Sequence, residues 1–172
     1  MTTILVTGGA RSGKSDFAIR KCYDFSGKKA FLATAEALDE EMRRRVQSHQ
    51  KSRGPDWVTI EEPVEISGSL KKAQEAYGVV LLDCITLWVS NLLTRVSLGE
   101  ETVKERIEEL VTLLPSLKCN LLVVTNEVGM GIVPEYPLVR TFRDLAGLAN
   151  RRVAGVADEA YLMVSGLPLR LK

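Results

Sequence analysis

Short apolar runs alternate with stretches of helical spacing along most of the chain. Ile4–Thr7 opens as a strand and Ser15–Phe25 follows as a helix. Lys29–Thr34 reads as a second strand. Leu38–Lys51 has helical spacing, with Leu38, Met42, Val46 and His49 roughly on one face. Trp57–Ile60 is a short strand suited to a sheet edge, and Ile66–Ala76 is helical. Val79–Leu82 and Leu121–Val124 are continuous apolar runs, the pattern of parallel strands covered on both faces. Helices are predicted over Leu87–Arg95, Val103–Leu114 and Leu138–Val153. The chain closes with a hairpin, Ala160–Val164 and Leu169–Leu171, joined through Ser165-Gly166-Leu167-Pro168. Such alternation predicts an α/β fold: an open, mostly parallel sheet flanked by helices, with an antiparallel edge hairpin at the C-terminus. Ligands in such folds bind beyond the carboxyl ends of the strands, so the loops there are the places to search.

The loop after the first strand is the most informative. Residues 8–15 read Gly-Gly-Ala-Arg-Ser-Gly-Lys-Ser. This fits G-x-x-x-x-G-K-[ST] in the strand–loop–helix setting that the motif requires. The fold expected is therefore of the P-loop NTPase type. Gly8, Gly9 and Gly13 allow sharp turns, so that Ala10, Arg11, Ser12 and their neighbours turn N–H groups toward phosphate oxygens. The next helix adds the free N–H groups of its first turn. Lys14 supplies a point charge for β- and γ-phosphates and is expected to face solvent when no nucleotide is bound. Ser15 is placed to ligate Mg²⁺.

Asp83 ends the apolar run Val79–Leu82. A P-loop is commonly partnered by such an acid, which reaches Mg²⁺ directly or through water. The alternative is a cap for the following helix, a task that Thr86 is also able to perform. Thr125-Asn126-Glu127-Val128-Gly129 follows the other buried run. A regulatory GTPase would carry Asn-Lys-x-Asp there, and Glu127 and Gly129 break that pattern. Gly129, Gly131, Pro134 and Pro137 suggest a shaped loop at the active edge. His49, the only histidine, sits among Arg43–Arg45, Lys51 and Arg53. Spacing alone gives it no more than a solvated surface position.

Composition narrows the picture. A length of 172 residues predicts one domain, residues 1–172. Net charge is +1, from 23 basic and 22 acidic residues, which does not favour a nucleic-acid partner. The sequence has no apolar stretch of membrane-spanning length and no room for a signal peptide, so a cytoplasmic protein is expected. Cys22, Cys84 and Cys119 match neither a zinc site nor a disulfide framework.

Two stretches carry a family resemblance: Val6–Ser15 and Val124–Pro134. They resemble the signatures of the bifunctional adenosylcobinamide kinase/adenosylcobinamide-phosphate guanylyltransferase family. Ala33-Thr34, His49 with Arg53 and Trp57, and Phe142–Gly147 extend the likeness over essentially the whole chain. The resemblance implies two reactions. Adenosylcobinamide is phosphorylated with ATP or GTP. GMP is then moved from GTP to that phosphate through a GMP–histidine intermediate, giving adenosylcobinamide-GDP in cobalamin biosynthesis. By position the histidine is His49. The P-loop, Ala33, Thr34, Ala35, Gln50, Lys51, Ser52, Arg53, Glu61 and Asp83 would contact nucleotide. Ser15 and Asp83 would serve Mg²⁺, and the assembly implied is a homotrimer. The rival readings are a P-loop small-molecule kinase without the transferase step, which has no use for His49, and a nucleotide-driven switch or motor subunit.

Overall fold

The computed structural model describes residues 1–35, 54 and 56–172. The expected helix Leu38–Lys51 lies outside them. Within them the strands are β1 (Thr3–Gly8), β2 (Lys29–Ala33), β3 (Trp57–Glu61), β4 (Val79–Asp83), β5 (Asn120–Val124), β6 (Glu159–Val164) and β7 (Leu167–Arg170). The helices are α1 (Lys14–Cys22), α2 (Ile66–Ala73), α3 (Ile85–Thr94), α4 (Glu100–Leu113) and α5 (Pro137–Val156). A 3₁₀ turn, Leu114–Ser116, follows α4.

All seven strands form one sheet in the order β3-β2-β4-β5-β1-β6-β7. Every pairing is parallel except that of β6 with β7. Each apolar run of β4 and β5 serves both faces. Val80, Leu82, Leu121 and Val123 point to one core, with Trp88, Leu92, Ile107, Leu110, Leu145 and Ala149 of the helices. Val79, Leu81, Leu122 and Val124 point to the other, with Ala18, Ile19 and Cys22 of α1. Alternate residues thus bury against different layers, which is why these strands show no polar position. β3 is the edge strand expected of Trp57–Ile60, and it is only partly covered.

Three of the boundaries that differ from expectation have clear local reasons. Helix α1 stops at Cys22 because Tyr23, Asp24 and Phe25 turn back onto Arg20, Lys21 and Cys22 with three-residue spacing. Helix α2 tightens in the same way after Ala73, where Glu75 and Ala76 bond Lys72 and Ala73. The C-terminal turn is Ser165-Gly166 alone, with φ of +51° and +84°. Positive φ at both central residues matches the twist of the flanking strands. Leu167 and Pro168 therefore belong to β7, where an outer edge tolerates a residue without an N–H.

Trp88 ties α3 to the rest. It is fully buried and its Nε1 donates to the Val64 carbonyl at 2.8 Å. Trp88→Ala is expected to cost about 3–5 kcal/mol, read as a lower urea midpoint. A loss below about 1 kcal/mol would contradict this account of the core. All three cysteines are free and buried, and burial pushes the Cys22 and Cys84 thiols up to about 12. Thiolate is the reactive species. The folded protein at pH 8 should therefore leave a disulfide-exchange reagent almost unreacted, whereas unfolding should release all three thiols. Rapid reaction of the folded protein would refute the burial.

Candidate active site

Strand β1 delivers the chain into the 8–15 loop under tight steric control. Gly8 has φ +147°, and a Cβ there would lie 2.5 Å from the Met163 carbonyl oxygen of β6. Only glycine lets β1 and β6 approach so closely at this point. Gly13, at φ +90°, is the N-cap of α1 and carries no capping side chain, so the first-turn N–H groups stay open. Gly9 has neither a positive φ nor a neighbour near an added Cβ; Arg11, at φ +55°, takes the left-handed turn instead. The Gly166 N–H of the closing hairpin donates to the Ser12 carbonyl at 3.0 Å. This buttress from the far end of the chain was not legible as part of the motif.

Lys14 does not face solvent as expected. It is buried, and its Nζ donates to the Gly9 carbonyl at 2.6 Å. The loop wraps its own cation, supplying an oxygen where a phosphate oxygen is expected. Burial lowers the Lys14 pKa from its ordinary value, and Cys84 and Asp83 act the other way. With Cys84 held as a neutral thiol by burial, Asp83 is the charge that matters.

Asp83 and Ser15 meet at this point. Ser15 Oγ donates to Asp83 Oδ2 at 2.7 Å. The cap of α3 is neither Asp83 nor Thr86: Cys84 is the N-cap, its Sγ accepting from the Leu87 N–H at 3.5 Å. Thr86 instead bonds Thr125 and Asn126. A hydroxyl and a carboxylate on neighbouring elements form a hard-oxygen pair of the kind Mg²⁺ accepts when phosphates and waters complete its shell. Among the described residues no group of three or more His, Cys, Asp or Glu could hold a metal by itself. The Ser15–Asp83 pair fits a cation whose shell is completed by phosphates and waters.

A cavity of about 720 Å³ opens over these groups, lined by Ala10–Asp16, Asp83, Cys84, Leu87, Val124 and Asn126. Asn126 is absent from the site residues read from sequence. The signal available was its place just after β5, the strand between β1 and β4. Ala33 is level with Glu61 on one side and Asp83 on the other. Ala33, Thr34, Ala35 and Glu61 do not line this cavity. The Thr34 hydroxyl is engaged within the protein, donating to the Cys84 carbonyl at 2.8 Å and accepting from the Cys84 N–H at 2.7 Å. Asn91 donates to the Thr34 carbonyl at 2.9 Å and the Pro63 carbonyl at 3.0 Å, pinning the loops after β2 and β3 together. His49, Gln50, Lys51, Ser52 and Arg53 lie outside the described residues.

The 125–136 loop is shaped as expected. The Glu127 N–H donates to the Gly8 carbonyl at 3.0 Å, and Glu127 Oε1 accepts from the Gly129 N–H at 2.7 Å. Arg143 of α5 donates to the Gly129 carbonyl at 2.7 Å.

The chain as a whole has counterparts among known proteins. Residues 4–171 match the family described as cobinamide kinase / cobinamide phosphate guanyltransferase. The bifunctional adenosylcobalamin biosynthesis protein CobU of Escherichia coli is 38% identical over 180 residues, covering 98% of this chain and 99% of that protein. The protein of the same name from Salmonella typhimurium is 39% identical over 182 residues, covering 98% and 99%. The bifunctional adenosylcobalamin biosynthesis protein CobP of Pseudomonas aeruginosa is 37% identical over 168 residues, covering 98% and 96%. With the match running through nearly the whole length, the chain belongs to the cobinamide kinase / cobinamide phosphate guanyltransferase family.

Proposed function

We propose that this protein carries out both reactions of its family on adenosylcobinamide, as one nucleotide-binding domain working in the cytoplasm and assembled as a homotrimer. The observation that carries the reading is the meeting of Lys14, Ser15 and Asp83 at the mouth of the 8–15 loop. In the kinase step the corrinoid side-chain hydroxyl attacks the γ-phosphorus of ATP or GTP. The bond from that phosphorus to the bridging oxygen breaks, nucleoside diphosphate leaves, and the hydroxyl proton is released to solvent. Loop N–H groups of residues 8–15 hold the phosphates, and Lys14 exchanges the Gly9 carbonyl for a phosphate oxygen as charge builds. The Ser12 hydroxyl is buried within this loop and has no hydrogen-bond partner among the described residues. Ser15 and Asp83 would hold Mg²⁺, which offsets phosphate charge when bound.

In the transferase step an unprotonated His49 nitrogen attacks the α-phosphorus of GTP and pyrophosphate leaves. The phosphate oxygen of adenosylcobinamide phosphate then attacks the same phosphorus and frees His49. Cys84, the thiol in the cavity, is kept protonated by burial and is unsuited to that task. Ala33, Thr34, Ala35, Gln50, Lys51, Ser52, Arg53 and Glu61 are proposed to complete the nucleotide site.

GTP labelled at the α-phosphate should leave GMP on the protein through an acid-labile, alkali-stable bond. GTP labelled at the γ-phosphate should leave none. His49→Ala should lose the adduct and GMP transfer while still phosphorylating adenosylcobinamide. An adduct surviving in His49→Ala moves the nucleophile elsewhere, and no adduct in the unaltered protein favours the kinase-only reading. Asp83→Asn should raise the Mg²⁺ needed for half-maximal phosphorylation by about tenfold or more. An unchanged Mg²⁺ requirement would make Asp83 a structural partner of Ser15 only.

A further inference from the structure

A buried polar network sits where β5, α3 and α5 meet. Thr86, Thr125 and Asn150 are all buried in an otherwise apolar contact. Their donors and acceptors can all be matched, with the Thr86 hydroxyl also within 3.4 Å of the Asn126 carbonyl. Asn150 Oδ1 only accepts, so Thr125 donates to it at 2.6 Å. Thr125 then accepts from the Thr86 hydroxyl at 3.0 Å. Thr86 in turn accepts from the Asn126 N–H at 2.7 Å, and Asn150 Nδ2 donates to the Asn126 carbonyl at 3.0 Å. Both main-chain groups of Asn126 are thereby held from two helices. A satisfied network of this kind rigidifies what it touches.

What it leaves over is the Asn126 side chain. The carboxamide makes no hydrogen bond within the described residues, and Asn126 lines the cavity with Lys14, Ser15 and Asp83. Its placement follows from register. Val124 pairs with Val6 of β1 and with Asp83 of β4, so the chain leaving β5 emerges between the P-loop and the acid. A cation and an anion already stand there, and a neutral group with both donor and acceptor capacity completes the wall.

We infer that Asn126 is a catalytic residue of the phosphoryl-transfer step, its carboxamide contacting the transferred γ-phosphoryl group or the attacking hydroxyl. Thr86, Thr125 and Asn150 are positioning residues that act through it. The inference rests on the kinase reading proposed above. No covalent bond to Asn126 is involved; the amide supplies a dipole, carried on a pinned main chain, where charge develops.

The test uses the whole protein with ATP and adenosylcobinamide. Asn126→Ala should lower kcat for phosphorylation on the order of a hundredfold, as loss of one fixed donor does, with ATP affinity and melting temperature unchanged. Asn126→Asp keeps the side-chain size but loses the amide donor, and should fall at least as far. Asn150→Ala should lower kcat while leaving KM for ATP in place. Added to Asn126→Ala, it should cost no further kcat, although it still lowers the melting temperature. Wild-type kcat in Asn126→Ala overturns the inference. Additive kcat losses in the double variant overturn the positioning role. Lys14→Ala separates the two levels of the argument: if it phosphorylates at the normal rate, the kinase site itself is misplaced, whereas an inactive Lys14→Ala beside a fully active Asn126→Ala refutes only the role given to Asn126.

Discussion

The parallel pairing of β5 with β1 on one side and β4 on the other is the constraint on which the site depends. It puts Val6, Val124 and Asp83 level across three strands. The chain then leaves each strand at the same edge: into the 8–15 loop from β1, into Asn126 from β5 and past Asp83 from β4. The cost of holding three polar exits together is met by the layers beneath. Strands β4 and β5 are apolar on both faces, and each face is sealed by helices. A one-residue slip of β5 would exchange its two faces and turn Asn126 away from the cavity. Positioning at the edge is thus a consequence of packing at the centre.

The second feature of the site is a charge stored out of water. Lys14 is desolvated enough to lower its pKa, and it is satisfied by a carbonyl of its own loop and steadied by Asp83. A desolvated ammonium interacts with a phosphate more strongly than one at the surface. Exchanging the Gly9 carbonyl for a phosphate oxygen replaces a neutral partner with an anion. The loop is therefore prepared for its ligand without being closed to it. The C-terminal hairpin contributes through the Gly166 bond to Ser12, so the end of the chain helps to hold a loop near its start.

Much of this was legible in the sequence, and for definite reasons. Long apolar runs identified β4 and β5 because two-sided burial admits no polar residue. The 8–15 motif was legible because its chemistry needs fixed residue types at fixed spacing. Asp83 was legible as the acid that ends an apolar strand. What was not legible depends on contacts between distant segments. Asn150 lies far along the chain from Thr86, and only the packing of α5 on α3 brings them to Thr125. The inward fold of Lys14 depends on the Gly9 carbonyl, and a motif records no such main-chain partner. Thr86 looked like a cap because threonine often caps helices. Cys84 took that position, which freed the Thr86 hydroxyl for the network. Leu167 and Pro168 looked like turn residues by composition, yet the positive φ of Ser165 and Gly166 closes the hairpin without them.

The same physics bears on the proposal that two reactions use the groups around the P-loop. The described groups around the P-loop are suited to stabilising charge: a cation, a hydroxyl–carboxylate pair, open N–H groups and a carboxamide on a pinned main chain. None is suited to forming a covalent bond to phosphorus. Lys14 is committed to an acceptor, Ser15 donates to Asp83, and burial holds Cys84 as a neutral thiol. A phosphoryl transfer to a substrate hydroxyl needs only such a cradle, because substrate brings the nucleophile. A transfer through an enzyme-bound GMP needs a basic nitrogen from elsewhere in the chain, and His49 is its only histidine. The proposed division is therefore physical. In that proposal the edge of the sheet stabilises charge in both steps, and the covalent step is assigned to His49, in the sequence between β2 and β3. Loss of that residue should leave the cradle, and with it the first reaction, intact.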